Sequence, residues 1–410
     1  MIKKMESHMF GLQRKSIVMK IRYLSLLSGC LLAVSCGTEP TPPEDSLADV
    51  ESIFGDRLPV RPPLSYASLA PGYIENDLLL GEEINDKLAT LGRVLFYDST
   101  LSLNRTISCS SCHQQQAAFG DPSGLSVGLD GGQTGRQSMR LVNIRFGEDP
   151  RMFWDERADD LHDQVTQPIQ DHIEMGFSGT GNQPGIDSLE RRLATLDHYK
   201  ALFDWAFEET TVITEQHIAT ALEQFVFSIE SFDSRFDDER MNAASDANPF
   251  PNFSASENRG KQLFLSPPQI NPQGIRTGGG AGCAGCHRPP EFDIIASSRN
   301  NGVDHQAGNP AGFDTTNTRS PSLRDVLGPD GQPNTPMMHT GDFLEFTTIV
   351  EHYNEVIPDV NNTTVDTKLV RGNNRIQLEL TTTEREDLEN FVKTLTGSNI
   401  YVDKRWSSPF

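Results

Sequence analysis

Cysteine is scarce in this 410-residue sequence, and the six present leave none over for a structural disulfide. Cys30 and Cys36 lie in the N-terminal leader; the other four, at 109, 112, 283 and 286, all fall in Cys-x-x-Cys-His runs. Long hydrophobic stretches are also missing beyond the leader, so no later segment reads as a membrane span. Basic clusters are absent as well. With a net charge of −22 the chain has nothing to neutralise phosphates, which excludes nucleic acid as a partner. An acidic surface suits a cationic redox partner and speeds its encounter at low salt.

The leader is legible if translation starts at Met19. Lys20 and Arg22 make a short cationic start, and residues 23–35 form an apolar run of signal-peptide length. The run ends Ala33-Val34-Ser35-Cys36, a loose lipobox that predicts acylation at Cys36; Leu27-Ser28-Gly29-Cys30 is the alternative, and an ordinary secretory signal is a third. Residues 1–36 are thus expected to be a signal peptide of lipoprotein type. Residues 37–75, rich in proline (Pro40, Pro42, Pro43, Pro59, Pro62, Pro63), read as a flexible tether. All of these readings place the protein in the periplasm or on the membrane surface facing it.

Cys-x-x-Cys-His is the attachment signature of c-type haem. Two thiols form thioethers with the vinyl groups, and the adjacent imidazole ligates the iron. A zinc site built from both cysteine pairs would not require a histidine after each. Thioredoxin-like centres belong in a βαβ context that this sequence lacks. Cys109, Cys112 and His113 therefore read as one haem site, and Cys283, Cys286 and His287 as a second.

A weak internal repeat supports two lobes: Leu91-Gly92-Arg93-Val94-Leu95-Phe96 precedes the first motif, and Arg259-Gly260-Lys261-Gln262-Leu263-Phe264 the second. Residues 214–232 set Ile218, Leu222, Phe225, Val226 and Ile229 on one helical face. Residues 383–396 do the same with Leu388, Phe391, Val392 and Leu395, with Thr383 as expected N-cap. Long loops at 121–138, 241–257, 266–282 and 297–322 are expected to wrap a site. The expected fold is mostly α with few strands: two cytochrome c-like domains, 76–235 and 236–410, each around one haem, with the boundary near 235–258.

From Leu91 onward the sequence resembles the bacterial di-haem cytochrome c peroxidase and MauG family. The resemblance rests on ordered blocks: Phe96-Tyr97-Asp98, Leu101-Ser102, the first haem motif, Ser126-Val127-Gly128, and Phe153-Trp154-Asp155-Glu156-Arg157-Ala158. Gln164, Pro168 and Glu174-Met175 follow. After the second motif come Pro321-Ser322-Leu323-Arg324-Asp325-Val326, Pro336-Met337-Met338-His339-Thr340-Gly341 and Ile349-Val350-Glu351-His352-Tyr353.

The resemblance implies that the His113 haem binds peroxide and the His287 haem passes electrons, with Trp154 between them. It makes Glu174 and Gln164 the distal pair, with Glu174 a plausible proton shuttle for O–O cleavage. Pro168 would close that pocket by packing. Typical members place an iron-binding histidine directly after Ser-Val-Gly; here Leu129 stands there, and neither His162 nor His172 matches the position, so the first haem is expected to be open without prior reduction. Fourteen residues after His339, where typical members carry a methionine ligand and MauG-like members a tyrosine, stands Tyr353. The alternative is that Tyr353 only packs and Met337 or Met338 ligates. His339 is then expected to contact a haem propionate. Family members also bind calcium between the domains, and Gln137, Asn334 and Pro336 occupy the corresponding places, with Gln137 for the usual asparagine and an insertion at 327–333.

The implied activity is reduction of hydrogen peroxide to water with electrons from a small cytochrome or cupredoxin; a homodimer is compatible with it. The competing readings are MauG-like oxidation of a protein partner through high-valent haem, and a non-enzymatic di-haem electron carrier.

Overall fold

The computed structural model describes residues 44–372 and 374–410. The leader, Cys30, Cys36 and the first part of the expected tether lie outside the described residues.

Helices dominate, and the strands form four small antiparallel pairs. Four helices organise the molecule in two matched crossings. α1 (Asp86–Tyr97) packs on α2 (Glu215–Phe227), and α3 (Ala255–Leu265) on α4 (Thr382–Lys393). Both crossings turn on the glycine of the internal repeat. A Cβ at Gly92 would run into the Ala221 carbonyl, and one at Gly260 into the Asp387 carbonyl. The helix backbones come this close because no side chain stands between them, so the two repeat copies have the same physical role.

Buried apolar residues fall into two clusters. One includes Leu91, Val94, Leu95 and Phe96 with Leu222, Phe225 and Ile229. The other includes Phe236, Phe264, Phe292, Leu388 and Phe391. In the chain the division falls between Ile229 and Phe236, after α2. The expected helical faces are present: Thr214 caps α2 by accepting from His217 N, and Ile218, Leu222 and Phe225 are buried. The expected cap at Thr383 is corrected to Thr381, which forms a reciprocal capping box with Glu384.

Two boundary expectations also need correcting. The tether reading fails for residues 44–75. Ala48–Phe54 is a helix with Val50 and Phe54 buried, and Leu58, Val60 and Tyr66 join the first core. The segment then binds both lobes. Leu69 N donates to Glu230 at 2.7 Å, the Tyr73 hydroxyl to Asp237 at 2.6 Å, and Glu75 N to Glu291 at 2.9 Å. Pro62 lies in a tight turn closed by the bridge between Val60 and Pro63, while the apolar residues around it supply the anchorage. Nor does the second lobe run to residue 410. Ile400 and Trp406 belong to the first core, Arg93 Nε donates to Ser407 O at 2.7 Å, and the Tyr97 hydroxyl donates to Trp406 O at 2.5 Å.

Of the loops expected to be structureless, 266–282 carries the pair β1 (Pro268–Ile270) and β2 (Arg276–Gly279). Loop 297–322 carries β5 (His305–Gln306) and β6 (Asn309–Phe313). Between them lie β3 (His287–Arg288) and β4 (Asp293–Ile294), which tie the second haem-motif histidine into a short ladder.

Candidate functional site

Each Cys-x-x-Cys-His run opens onto its own cavity. The first, of about 600 Å³, is lined by Cys109, Cys112 and His113; the second, of about 520 Å³, by Cys283, Cys286 and His287. The two cysteine pairs therefore do not meet, which rules out a zinc centre built from both.

The first motif is held by its local chain. Ser108 and Ser111 form a capping box around the one-turn helix Cys109–Cys112. The chain then reverses through left-handed Ala118 and Phe119, bringing the Phe119 carbonyl to His113 Nδ1 at 3.0 Å. With the Nδ1 proton donated there, the lone pair sits on Nε2, the arrangement a metal-ligating imidazole needs. Burial lowers the His113 pKa, and it lowers that of His287 to about 4, only partly offset by the facing Phe292 carbonyl. Both rings are therefore neutral at physiological pH. Burial pushes the Cys109 and Cys283 thiols up to about 12.

The first cavity gathers the expected distal residues. Gln164, Pro168 and Glu174 all line it, with Asp171 and Arg157 beside them. Burial raises Glu174 from 4.5 to about 7; Asp171 pushes in the same direction and Arg157 opposes. His113 is the only histidine of the lining. Leu129 is buried, and its backbone N donates to Ile173 O at 2.7 Å, tying the Ser126-Val127-Gly128 loop to the segment bearing Glu174. His162 is engaged by Glu223 and Gln216, and His172 lies beside Ser178; neither reaches the cavity.

Trp154 lines both cavities. Its indole Nε1 donates to Gln137 O at 2.7 Å, and its carbonyl accepts from Thr318 N at 2.8 Å and Arg319 N at 3.1 Å. The ring is thus fixed from both halves of the chain.

Tyr353 lines the second cavity on the helix Phe346–Asn354, whereas Met337 and Met338 do not. Met337 is buried in the second core. Burial raises the Tyr353 hydroxyl well above its ordinary value.

His339 sits behind the cavity walls. It lines neither cavity and is fully buried, with Nδ1 2.8 Å from Asn317 Nδ2 and Nε2 3.1 Å from His305 O. Both nitrogens have protein partners, and the ring lies 6.3 Å, centroid to centroid, from Trp154. The residues expected at a calcium site are also engaged separately. Gln137 Nε2 donates to Asp121 O at 3.3 Å, and Asn334 Nδ2 to Asp325 O at 2.7 Å. Nothing in this arrangement supports calcium.

Sequence reasoning missed the cations of the walls. Arg140 lines the first cavity; one amino group donates to Ser322 O at 2.7 Å, while its buried Nε has no partner among the described residues. Arg319 lines both cavities and pairs with Asp293 at 3.3 Å. No spacing signal marks these residues, because their partners are far away in the chain.

A haem fits these walls. Paired thiols and an imidazole share each cavity wall, the first imidazole with its Nδ1 held by Phe119 O, and the buried Arg140 guanidinium with an unused donor awaits an acceptor such as a propionate.

The comparisons agree. The family profile for di-haem cytochrome c peroxidase matches residues 86–245. The chain is 26% identical to the methylamine utilization protein MauG of Methylophilus methylotrophus, over 87% of this chain and 95% of that protein. It is 28% identical to the cytochrome c551 peroxidase of Nitrosomonas europaea, over 76% and 81%. A solved MauG-like protein associated with microbial copper homeostasis superposes with a TM-score of 0.64 at 25% identity, covering 84% of this chain and 99% of that one. Two haem motifs on two cavities, with Trp154 on the walls of both, accompany this similarity to di-haem cytochrome c peroxidase and MauG proteins, whose family model covers residues 86–245 of the chain.

Proposed function

We propose that the protein reduces hydrogen peroxide to water at the first cavity, with electrons that enter through the second. The observation that carries this reading is Glu174: a buried carboxyl with a pKa of about 7 on the wall that also holds Cys109, Cys112 and His113. A carboxyl balanced near neutrality can both accept and return a proton.

The reaction is H2O2 + 2 e− + 2 H+ → 2 H2O. Haem supplies the electron transfer and the Lewis-acid site for peroxide. Glu174 accepts a proton from one peroxide oxygen and delivers it to the other, so that the O–O bond breaks with water as the leaving group. Gln164 orients the peroxide, and Pro168 narrows the space around it. Leu129 leaves the first site open, since no second imidazole lines it. Tyr353, on the wall of the second cavity, would help hold the second haem's iron, and Trp154, on the walls of both cavities, would carry electrons between the sites. Residues 76–235 carry the first haem, and the second lobe, starting at 236, carries the other.

The donor that fits is a small cationic cytochrome or cupredoxin, drawn by the net charge of −22. Acylation at Cys36 would hold the enzyme on the periplasmic face of a membrane. Tyr353 also favours a second reading, MauG-like oxidation of a protein partner, because a hard anionic ligand stabilises oxidised iron where a thioether stabilises ferrous. Peroxide turnover separates the readings. Steady-state turnover with a small donor that falls about 100-fold or more in Glu174→Gln supports the peroxidase. Turnover that is slow in the wild type supports partner oxidation, and unchanged turnover in Glu174→Gln removes the assigned role.

A further inference from the structure

A buried amide network beside the second cavity is unused by the chemistry above. Asn301 is its key member and lines the cavity. Its Oδ1 accepts from Val303 N at 3.1 Å and from Asn317 Nδ2 at 3.3 Å. Its backbone carbonyl is 2.9 Å from His352 Nε2. Asn317 is in turn held by the fully buried Asn300, whose Nδ2 donates to Asn317 Oδ1 at 2.6 Å. With Oδ1 occupied by two donors, the orientation of the Asn301 amide is determined, and Nδ2 must face the other way.

There it meets the two rival ligands together. Asn301 Nδ2 is 3.2 Å from Met338 Sδ and 3.4 Å from Tyr353 Oη. The rivals are held differently. Tyr353 lies on the cavity wall with Cys283, Cys286 and His287, whereas Met338 stands off the wall on a left-handed backbone at φ 60°. An unbranched thioether is long and flexible enough to fill several positions, so something must keep it out.

We propose that Asn301 is the positioning residue that selects Tyr353 over Met338 as sixth ligand of the second haem, holding the Met338 thioether outside the cavity and the Tyr353 hydroxyl at its wall. The proposal rests on the reading of Tyr353 as that ligand. Methionine ligation raises a haem's potential relative to tyrosinate, so the selection sets the driving force between the two sites.

The test uses the holoprotein with both haems. Asn301→Leu keeps the branched shape but removes every side-chain hydrogen bond of Asn301, those to Met338 and Tyr353 included, and Asn301→Ala removes them where the larger side chain prevents folding. The expected result is a near-infrared sulfur-to-iron charge-transfer band, absent from the wild type, with a rise in the midpoint potential of the second haem. Both changes should vanish in the Asn301→Leu/Met338→Leu double variant. A wild-type spectrum and potential in the single variants overturns the proposal, as does a change that persists without Met338. Tyr353→Phe is the separate control: if it alters neither spectrum nor potential, the ligand assignment falls and the selection falls with it.

Discussion

The indole Nε1 of Trp154 donates to the carbonyl of Gln137 at 2.7 Å. Gln137 N in turn donates to the carbonyl of His339 at 2.8 Å. The ring on both cavity walls is therefore aimed by backbone from the first lobe, which is itself held by backbone from the second. Trp154→Phe keeps the aromatic packing but removes this bond and the indole. Stopped-flow reduction by a small donor should still fill the second haem, while onward transfer to the first slows about tenfold or more, equivalent to about 1.4 kcal/mol of barrier. Equal rates would show that Trp154 is only a wall.

Glu174 should govern the pH profile. Its folded pKa of about 7 lies above the ordinary 4.5 because burial penalises the charge. As pH falls through 7 the carboxylate that accepts the peroxide proton is lost. We expect kcat/KM for peroxide to fall about tenfold per pH unit on that limb. Glu174→Gln should flatten it along with lowering the rate. An acid limb that survives in the variant would assign the titration to another group.

The matched crossings predict matched sensitivity. Gly92→Ala and Gly260→Ala each force a methyl into a facing helix backbone, at a cost of about 1–3 kcal/mol. Urea unfolding should show a lowered midpoint in both variants, whereas alanine at exposed Gly135, where a Cβ meets nothing within 4 Å, should leave it unchanged. Wild-type stability for Gly260→Ala would mean that the repeat is not a packing device.

Arg324 and Asp237 form an ion pair at 2.9 Å with neither side chain exposed by more than 1%, and the Tyr73 hydroxyl donates to the same carboxylate. Arg324→Leu leaves that carboxylate buried without its cation, a loss of about 3–5 kcal/mol. The same urea measurement should report it. A loss below about 1 kcal/mol would show the pair to be as weak as a surface contact.

What the sequence makes legible here is what chemistry or periodicity forces into short spacing. Haem attachment needs Cys109, Cys112 and His113 adjacent, and a helix–helix contact needs a glycine within a helical run. Arg140 could not be found this way, since its partner Ser322 is 182 residues distant and its role exists only after folding. Asn301 is similar: a loop asparagine resembles any turn residue until Asn317 orients it. Composition misled at residues 44–75, where the prolines suggested a tether and the apolar residues between them decided the fold.

The central claim is that the two haem sites differ, the first open beside Glu174 and the second closed by Tyr353. Electron paramagnetic resonance of the oxidised, as-isolated holoprotein tests it most directly. The account predicts one high-spin ferric signal from the His113 haem and one low-spin signal from the His287 haem, the latter altered in Tyr353→Phe and the former not. Two low-spin signals would contradict it, because Leu129 would then have failed to leave the first iron open.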